Sequence, residues 1–340
     1  MSANANPRIS VCIANYNGEY LLVDCIDSVL AQGVSTLTEI IVHDDASTDG
    51  SLALLRERYP EVRVIPSSEN VGFCIANNRM VEAARGEFVL LLNNDAALMP
   101  DALCALLDDA AHRGDGAILT LPQYDWMTGV LVDRGCLLDP FHVPVPNLDP
   151  EREDVAYVIG ACLWIPRECW SRLGGFPDWF GSIAEDMYLC CAARLQGTPV
   201  RCLNRNGYRH RQGASFGGNR ADAQGLHTRY RRRYLSERNR LSVLAITMPS
   251  MFAWPWLLIC SIALSAEGAL LTLAKTSLRP WREIYAPSLR DTWHERSLLK
   301  AQRRRLQAMR CASLRTYLYA FTWMPRKLQL LVRHGFPQVT

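Results

Sequence analysis

The chain has no CxxC pair, and its twelve cysteines follow no zinc-like spacing. That argues against a thiolate metal centre and against a disulfide-stapled secreted domain. Cys12, Cys25, Cys74 and Cys162 sit inside apolar runs, where reduced, buried thiols are expected. No positive cluster followed by an apolar core opens the sequence (MSANANPRIS), so no secretory signal is expected. There is no internal repeat and no low-complexity tract. Acidic residues become scarce toward the end: residues 275–340 hold fourteen Lys and Arg against three Asp and Glu. Charge of either sign is missing altogether from 241–266.

What is present is enough for a core. The 340 residues are 49% hydrophobic with a net charge of +3, which fits one large or two ordinary folded domains and excludes global disorder. The first half is acidic, so the basic tail implies an anionic partner, a membrane surface or nucleic acid. No nucleic-acid-binding module is recognisable in the tail, which leaves the membrane as the expected partner. The uncharged run is long enough to span a bilayer, but Pro249, Pro255 and the nearby Glu267 argue against a single straight span. Leu298, Leu299, Leu306 and Met309 share a helical face edged by Arg303 and Arg310. Leu314, Tyr317, Leu318 and Phe321 recur at i, i+3, i+4 and i+7. Basic amphipathic helices of this kind lie in the plane of a membrane; a helical packing domain with a solvated basic face is the plainer alternative. The run Arg231, Arg232, Arg233 reads as a solvated helix face or as a basic patch near a membrane.

Before that tail, β-rich and helical patterns alternate. Strands are expected at 9–14, 39–43, 62–65 and 87–92, with helices at 20–32, from about 47 through 59, and at 73–85, and another beginning at Pro100-Asp101. Alternation at this spacing gives βαβ units and a parallel, doubly wound sheet. The stretch 121–154 reads as loops with short strands. A strand at 155–165, a short helix at 166–173, a helix at 183–196, a strand at 199–203 and a Gly/Arg-rich loop through 218 follow.

Open α/β sheets bind ligands beyond the carboxyl ends of their strands. Three strand ends here are polar: Asn15 and Asn17, Asp44 and Asp45, and Asn93, Asn94 and Asp95. A lone Asp after a strand is usually a turn residue. Carboxylates gathered at one sheet edge repel unless a cation or ligand donors sit between them, and a hard divalent ion needs few protein oxygens when a diphosphate supplies the rest. Glu185 and Asp186 open a helix, where the dipole favours acids and would also hold Asp186 ionised, as a general base requires. His210, in the loop HRQGAS, could complete a metal site. Among the aromatics between the acidic sites, Trp179 and Phe180 offer a platform for a sugar acceptor, with core packing as the default.

Together, ISVCIANYNG, EIIVHDDASTDGS, ENVGFCIANNRMVEAARGEFVLLLNNDA and VIGACLWIPRECWSRLGGFPDWFGSIAEDMYLC resemble the family-2 glycosyltransferases, and within them the rhamnosyltransferase-like branch that builds bacterial surface polysaccharides. The resemblance covers roughly residues 9–245. It implies an α/β GT-A fold with a doubly wound mixed sheet at 1–245 and a helical, basic, membrane-associated region at 246–340. By that resemblance the backbone from Ala14 through Asn15 to Tyr16, with Asp44 and Asp45, holds the nucleotide. Asn70, Gly72 and Asn77 line the nucleotide side. Asn93-Asn94-Asp95 stands where the family has its DxD motif, so that Asn94 faces the donor and Asp95 binds Mg²⁺ or Mn²⁺ with His210. The first acid of that motif is Asn93 here, which leaves the metal one anionic contact fewer. Asp186 matches the inverting catalytic base, with Glu185, Trp179 and Phe180 on the acceptor side. The implied enzyme moves a sugar such as rhamnose from a dTDP-, UDP- or GDP-linked donor to a glycan or lipid-linked acceptor, on the cytoplasmic face of the cell membrane.

Two other readings stay open. A nucleotidyltransferase of related fold would carry a Gly/Arg-rich phosphate loop after the first strand, and ANYNGEY is not one. A non-catalytic, membrane-associated glycan- or nucleotide-binding module would have no need for both Asp95 and Asp186.

Overall fold

Residues 88–92, Phe-Val-Leu-Leu-Leu, are buried without a break, the pattern of a strand covered on both faces. They form the fourth strand of a regular alternation: β1 (Ile9–Asn15), α1 (Glu19–Leu30), β2 (Thr38–Asp44), α2 (Ser51–Arg58), β3 (Arg63–Pro66), α3 (Phe73–Ala83) and β4 (Phe88–Leu92). The computed structural model describes residues 7–34, 37–213, 220–222, 225–249, 251–335 and 338–339. Much of the loop expected through residue 218 lies outside them.

The chain continues through β5 (Ala96–Leu98), α4 (Ala102–Arg113), β6 (Ile118–Thr120), β7 (Gln123–Asp125), β8 (Leu131–Asp133), β9 (Cys136–Leu138), β10 (Pro144–Pro146), β11 (Cys162–Pro166), α5 (Arg167–Leu173), α6 (Glu185–Leu195), β12 (Val200–Cys202) and β13 (Tyr208–His210). Seven strands form one sheet in the order β12-β6-β11-β4-β1-β2-β3. β1 runs parallel to β2 and β4, whereas β11 is antiparallel to both β4 and β6. The sheet is therefore mixed, and the wholly parallel sheet that alternation alone suggests is corrected at β11. The strand expected over 155–165 is confined to its second half, because a turn from Ile159 to Cys162 (N–H to O 3.2 Å) separates the two halves. A second sheet, β5-β13-β7-β8, is built from three-residue strands.

The core of the central sheet is dry. Val11, Ile13, Val42, Leu90 and Trp164 have no more than 0% of their surface exposed, and Phe88 stacks on Trp164 at 4.9 Å. Burying each such aliphatic side chain stabilises the fold by about 1.5–3 kcal/mol. The helices on either side of β2 cap one another. Asp49 accepts from the Glu19 N–H at the start of α1 (3.0 Å), and Glu19 accepts from the Gly50 N–H at the start of α2 (3.0 Å). None of the twelve cysteines is in a disulfide, and ten are buried.

The chain forms two compact units. The first is Met1–Cys136, Pro146–Ala193 and Thr198–Ser215; the second is Leu137–Val145, Arg194–Gly197 and Phe216–Thr340. The sequence boundary at 245 falls inside a helix of the second unit, α7 (Tyr230–Thr247), whose last seven residues are all buried. That unit continues with α8 (Ala253–Ala274), a π-helical turn at Trp281–Tyr285, α9 (Ala286–His294), α10 (Arg296–Ala308), α11 (Leu314–Leu318) and α12 (Arg326–His334).

The uncharged run 241–266 is not one straight helix, as its prolines suggest, since it breaks between α7 and α8; two details differ from expectation. α8 is one uninterrupted helix of 22 residues. Pro255 falls in its first turn, where the missing N–H has no intrahelical partner to lose, and the break comes at Pro249 instead. Glu267 is accommodated by turning inward to Arg233 and Lys327, both at 2.7 Å. α10 turns much of its apolar face inward: Leu299 and Leu306 are buried, Leu298 stays 37% exposed, and Arg303 donates to the carbonyls of Ala245 and Met248 at the end of α7.

Candidate active site

The polar strand ends expected from the sequence are joined by side-chain hydrogen bonds. Asn15, at the end of β1 and 1% exposed, donates from Nδ2 to Asp44 Oδ1 (3.1 Å) at the end of β2. Its Oδ1 accepts from Asn94 Nδ2 (2.9 Å) just past β4. Asp44 also accepts from the Ser47 N–H (3.1 Å), so this carboxylate shapes the turn after β2. Gly18 lies against the same junction. A Cβ there would come within 2.3 Å of Asn94 Nδ2 and 2.5 Å of Asn15 Oδ1, so the Asn15–Asn94 pair requires glycine at 18.

Asp45 accepts from the N–H groups of Val71 (2.8 Å) and Gly72 (2.9 Å), one on each oxygen. It thereby fixes the loop that leads into α3. Gly72 has φ +85°, a left-handed conformation that favours glycine. Asp186, in the first turn of α6, accepts from the Gly160 N–H at Oδ2 (2.9 Å) and from the Met187 N–H at Oδ1 (2.7 Å). Gly160 neighbours Ala161, whose carbonyl accepts from the Asn93 N–H (3.1 Å). Cys74, two residues beyond Gly72, donates to the Gly181 carbonyl (3.2 Å), ahead of α6. Short links thus connect the surroundings of Asp45, Asp95 and Asp186.

Asp95 is 2% exposed. Its Oδ1 lies 3.1 Å from His210 Nε2, and the other ring nitrogen, Nδ1, lies 3.1 Å from Gln123 Oε1. His210 is therefore not in a loop, as HRQGAS suggests, but ends β13, which pairs in parallel with β7 so that His210 stands opposite Asp125. Loop composition hid a strand of three residues. The amide oxygen of Gln123 also accepts from Tyr208 Oη (2.8 Å), which holds it toward the ring. An imidazole with one proton then carries it on Nδ1 and aims the Nε2 lone pair at a carboxylate. In that tautomer the two groups turn lone pairs toward one another, and a shared cation would satisfy both. A separation of about 3 Å is also that of neighbouring ligands on an octahedral ion with bonds of about 2.1 Å. Asp95 and His210 thus fit a divalent cation. Among the described residues no group of three or more His, Cys, Asp or Glu gathers at one place, which suits a cation whose remaining ligands are phosphate oxygens and water.

The other expected residues fall around this line. Ala14 is half-buried in β1, Tyr16 is 52% exposed, Asn70 is exposed and Gly72 half-buried. Asn77 is buried and donates to the Phe73 carbonyl within α3 (2.8 Å). Glu185 is buried at the first position of α6. Phe180 is 0% exposed between Trp179 (4.5 Å) and Tyr188 (5.7 Å). It offers no face for stacking, which leaves half-buried Trp179 as the aromatic on that side. Gln123 and Gly160 were not singled out from the sequence. One sits in a segment that reads as loop, and the other acts through its backbone N–H, which no side-chain pattern reveals.

Behind Gln123, across the β7–β8 pair, lies Asp133. Burial pushes its carboxyl up to about 7, against an opposing pull from the Gly135 N–H and His210. The folded state then holds this proton more tightly than the unfolded chain between about pH 4 and 7, so stability falls as pH rises through that window. Asp133→Asn keeps an oxygen for Gly135 N–H (2.9 Å). It is expected to raise the melting temperature at about pH 8 and to change it little at about pH 4; thermal melts at both pH values check this.

This mixed sheet, with its polar ends at β1, β2 and β4, is a GT-A glycosyltransferase fold. A solved mannosyltransferase from Pyrobaculum calidifontis, in complex with GDP-Man and Mn²⁺, superposes with a TM-score of 0.53 at 18% identity, covering 86% of this chain and 87% of that one. Residues 10–168, just under half of the chain, match the family model Glycosyl transferase family 2. It is 39% identical over 187 residues to a chondroitin synthase from Escherichia coli, a match that covers 54% of this chain and 26% of that protein. It is 28% identical over 185 residues to an N-acetylglucosaminyl-diphospho-decaprenol L-rhamnosyltransferase from Mycobacterium tuberculosis, covering 44% and 59% respectively. The chain therefore spans less than two thirds of the length of the chondroitin synthase and the rhamnosyltransferase.

Proposed function

We propose that the chain is an inverting glycosyltransferase that moves a sugar from a nucleotide-diphosphate donor to a hydroxyl of a cell-surface glycan or lipid-linked acceptor. The observation that carries the reading is the unbroken side-chain line Asp44–Asn15–Asn94, which ends one residue before the pair Asp95–His210. It lies where a doubly wound sheet receives its ligand.

In this reading Ala14, Asn15, Tyr16 and the Asp45–Gly72 loop receive the nucleotide. Asp95 and His210 hold a divalent cation, Mg²⁺ or Mn²⁺; the resemblance to a mannosyltransferase solved with Mn²⁺ supports a metal. When bound, such a cation supplies Lewis-acid neutralisation of the departing diphosphate. Asp186 is held by two backbone N–H groups. It takes the proton of the acceptor hydroxyl, whose oxygen attacks the anomeric carbon opposite the leaving diphosphate. Glu185 and Trp179 lie on the acceptor side. The first unit carries the transfer, and the second, which includes Phe216–Thr340, holds the enzyme at the cytoplasmic face of the membrane. The sugar of the mycobacterial relative makes rhamnose the first donor to try.

Thermal melts with dTDP-, UDP- and GDP-sugars, with and without Mn²⁺, test the reading. One nucleotide class is expected to raise the melting temperature by about 5–10 °C at about 100 times Kd, more with Mn²⁺ than without. The products are expected to include a nucleoside diphosphate. Release of pyrophosphate would assign nucleotidyl transfer instead, and no response to any donor would leave a binding module of another kind.

A further inference from the structure

The longest helix of the second unit has a face that the unit leaves uncovered. Inward, α8 buries Leu257, Cys260, Leu264, Gly268 and Leu271, at steps of three or four residues. Gly268 makes room for Tyr285, whose ring carbons would lie 2.6 Å from a Cβ there. Outward, the helix shows Leu258 (51% exposed), Ile262 (61%), Leu270 (54%) and Leu273 (73%), with Phe252 (68%) just before it. No charged residue precedes Glu267 in α8, and Glu267 turns inward to Arg233, Lys327 and Tyr285. A helix facing water is polar on its outer side. This one presents an apolar stripe about 33 Å long, and its 22 residues are long and apolar enough to cross a membrane.

At the start of α8 the character of the surface changes. A hollow of ≈ 410 Å³ opens there, and its lining includes Trp254, Lys300, Arg303, Arg304 and Arg310 and no acidic residue. Arg303 is turned to the end of α7. Lys300 lies over the Trp254 ring at 5.5 Å, and Lys300 and Arg304 are exposed. An apolar stripe ending in a cationic hollow beside a tryptophan complements one surface in both respects: acyl chains along the helix and anionic headgroups at its end.

We propose that the outer face of α8 docks in the plane of an anionic lipid bilayer, with the hollow at its start taking the phosphate of a lipid headgroup. Docking in the plane fits the packed inner face. Crossing would carry Glu267 and its cationic partners into the hydrocarbon, where ionised groups are costly. The proposal rests on the membrane-attachment part of the function proposed above and is independent of its chemistry.

The full chain is floated with vesicles of phosphatidylcholine and with vesicles that also contain phosphatidylglycerol. The wild type is expected to float with the mixed vesicles. Lys300→Gln with Arg304→Gln should weaken that binding about 30-fold, whereas Arg8→Gln with Arg56→Gln, the same loss of charge elsewhere, should leave it within about twofold. Leu258→Asp with Ile262→Asp should weaken it by about 100-fold or more. Lys300, Arg304, Leu258 and Ile262 are all exposed, so the melting temperatures of those two variants should match the wild type. Inorganic phosphate is compared with chloride at equal ionic strength to separate headgroup from free anion. If phosphate stabilises the wild type but not the Lys300/Arg304 variant, and no vesicle binds, the hollow is a soluble-anion site and the proposal fails. It also fails if the wild type ignores vesicles and forms a concentration-dependent dimer that the Leu258/Ile262 variant abolishes. Donor melts run in parallel: a protein that binds donor but not vesicles sinks the docking alone.

Discussion

Asp186→Asn is expected to lower turnover by on the order of 10²- to 10⁴-fold while donor affinity stays within a few-fold. The substitution keeps the size of the side chain and removes the ability to accept a proton. Asp186 is held by the Gly160 and Met187 N–H groups, donors that favour the ionised carboxylate. The asparagine can satisfy only one of them, and the mismatch costs about 1–3 kcal/mol locally. That local loss is why donor binding is measured alongside turnover. A fall in turnover with donor affinity preserved identifies the base; a parallel fall in both would mean the site has been deformed. Near-normal turnover would remove Asp186 from the chemistry. Glu185, its neighbour, is the buried member of the pair, so Glu185→Gln is the appropriate companion variant. Its loss should register in folding more than in the proton step.

The parts of this architecture that the sequence announced are those where period and length act together. β1, β2 and β4 are runs of five to seven residues separated by helices, and a fully buried strand that stops at Asn93 can be read directly as a sheet meeting its ligand. Three-residue strands carry too little pattern for that. β13 was taken for loop because Gly and Arg surround it, and with it went the placement of His210 and its anchor Gln123 on β7. The reversal at β11 was invisible for a different reason: a buried strand reads the same in either direction. α8 was misjudged at Pro255 because the cost of proline depends on its place in the helix. Phe180 takes the core packing that was its default and not the acceptor platform, because an aromatic side chain does not declare which of its neighbours will cover it. Gly160 acts through an N–H that every residue but proline possesses.

Asp95→Asn is expected to change donor binding in opposite directions according to the metal, the second large effect. With Mn²⁺ present, the carboxylate and His210 Nε2, 3.1 Å apart, would share the cation in the proposed site. Removing the negative charge should weaken metal-dependent donor binding and lower turnover by on the order of 10²- to 10³-fold, the scale seen when one electrostatic stabiliser is lost. With the metal removed by a chelator, the same carboxylate would face the diphosphate directly in the proposed site. Two like charges at close range repel, so the asparagine variant should bind donor as tightly as the wild type or more tightly. Calorimetric titration of the nucleoside diphosphate into both proteins, with Mn²⁺ and with chelator, yields four affinities. Their crossing identifies Asp95 as a metal ligand, because a residue that merely shapes the turn after β4 would weaken binding equally in both conditions. Asn93, which stands where the family has an acid, makes this contrast sharper. The protein contributes one carboxylate here instead of two, and no second acid at the motif remains to hold the cation once Asp95 is neutral.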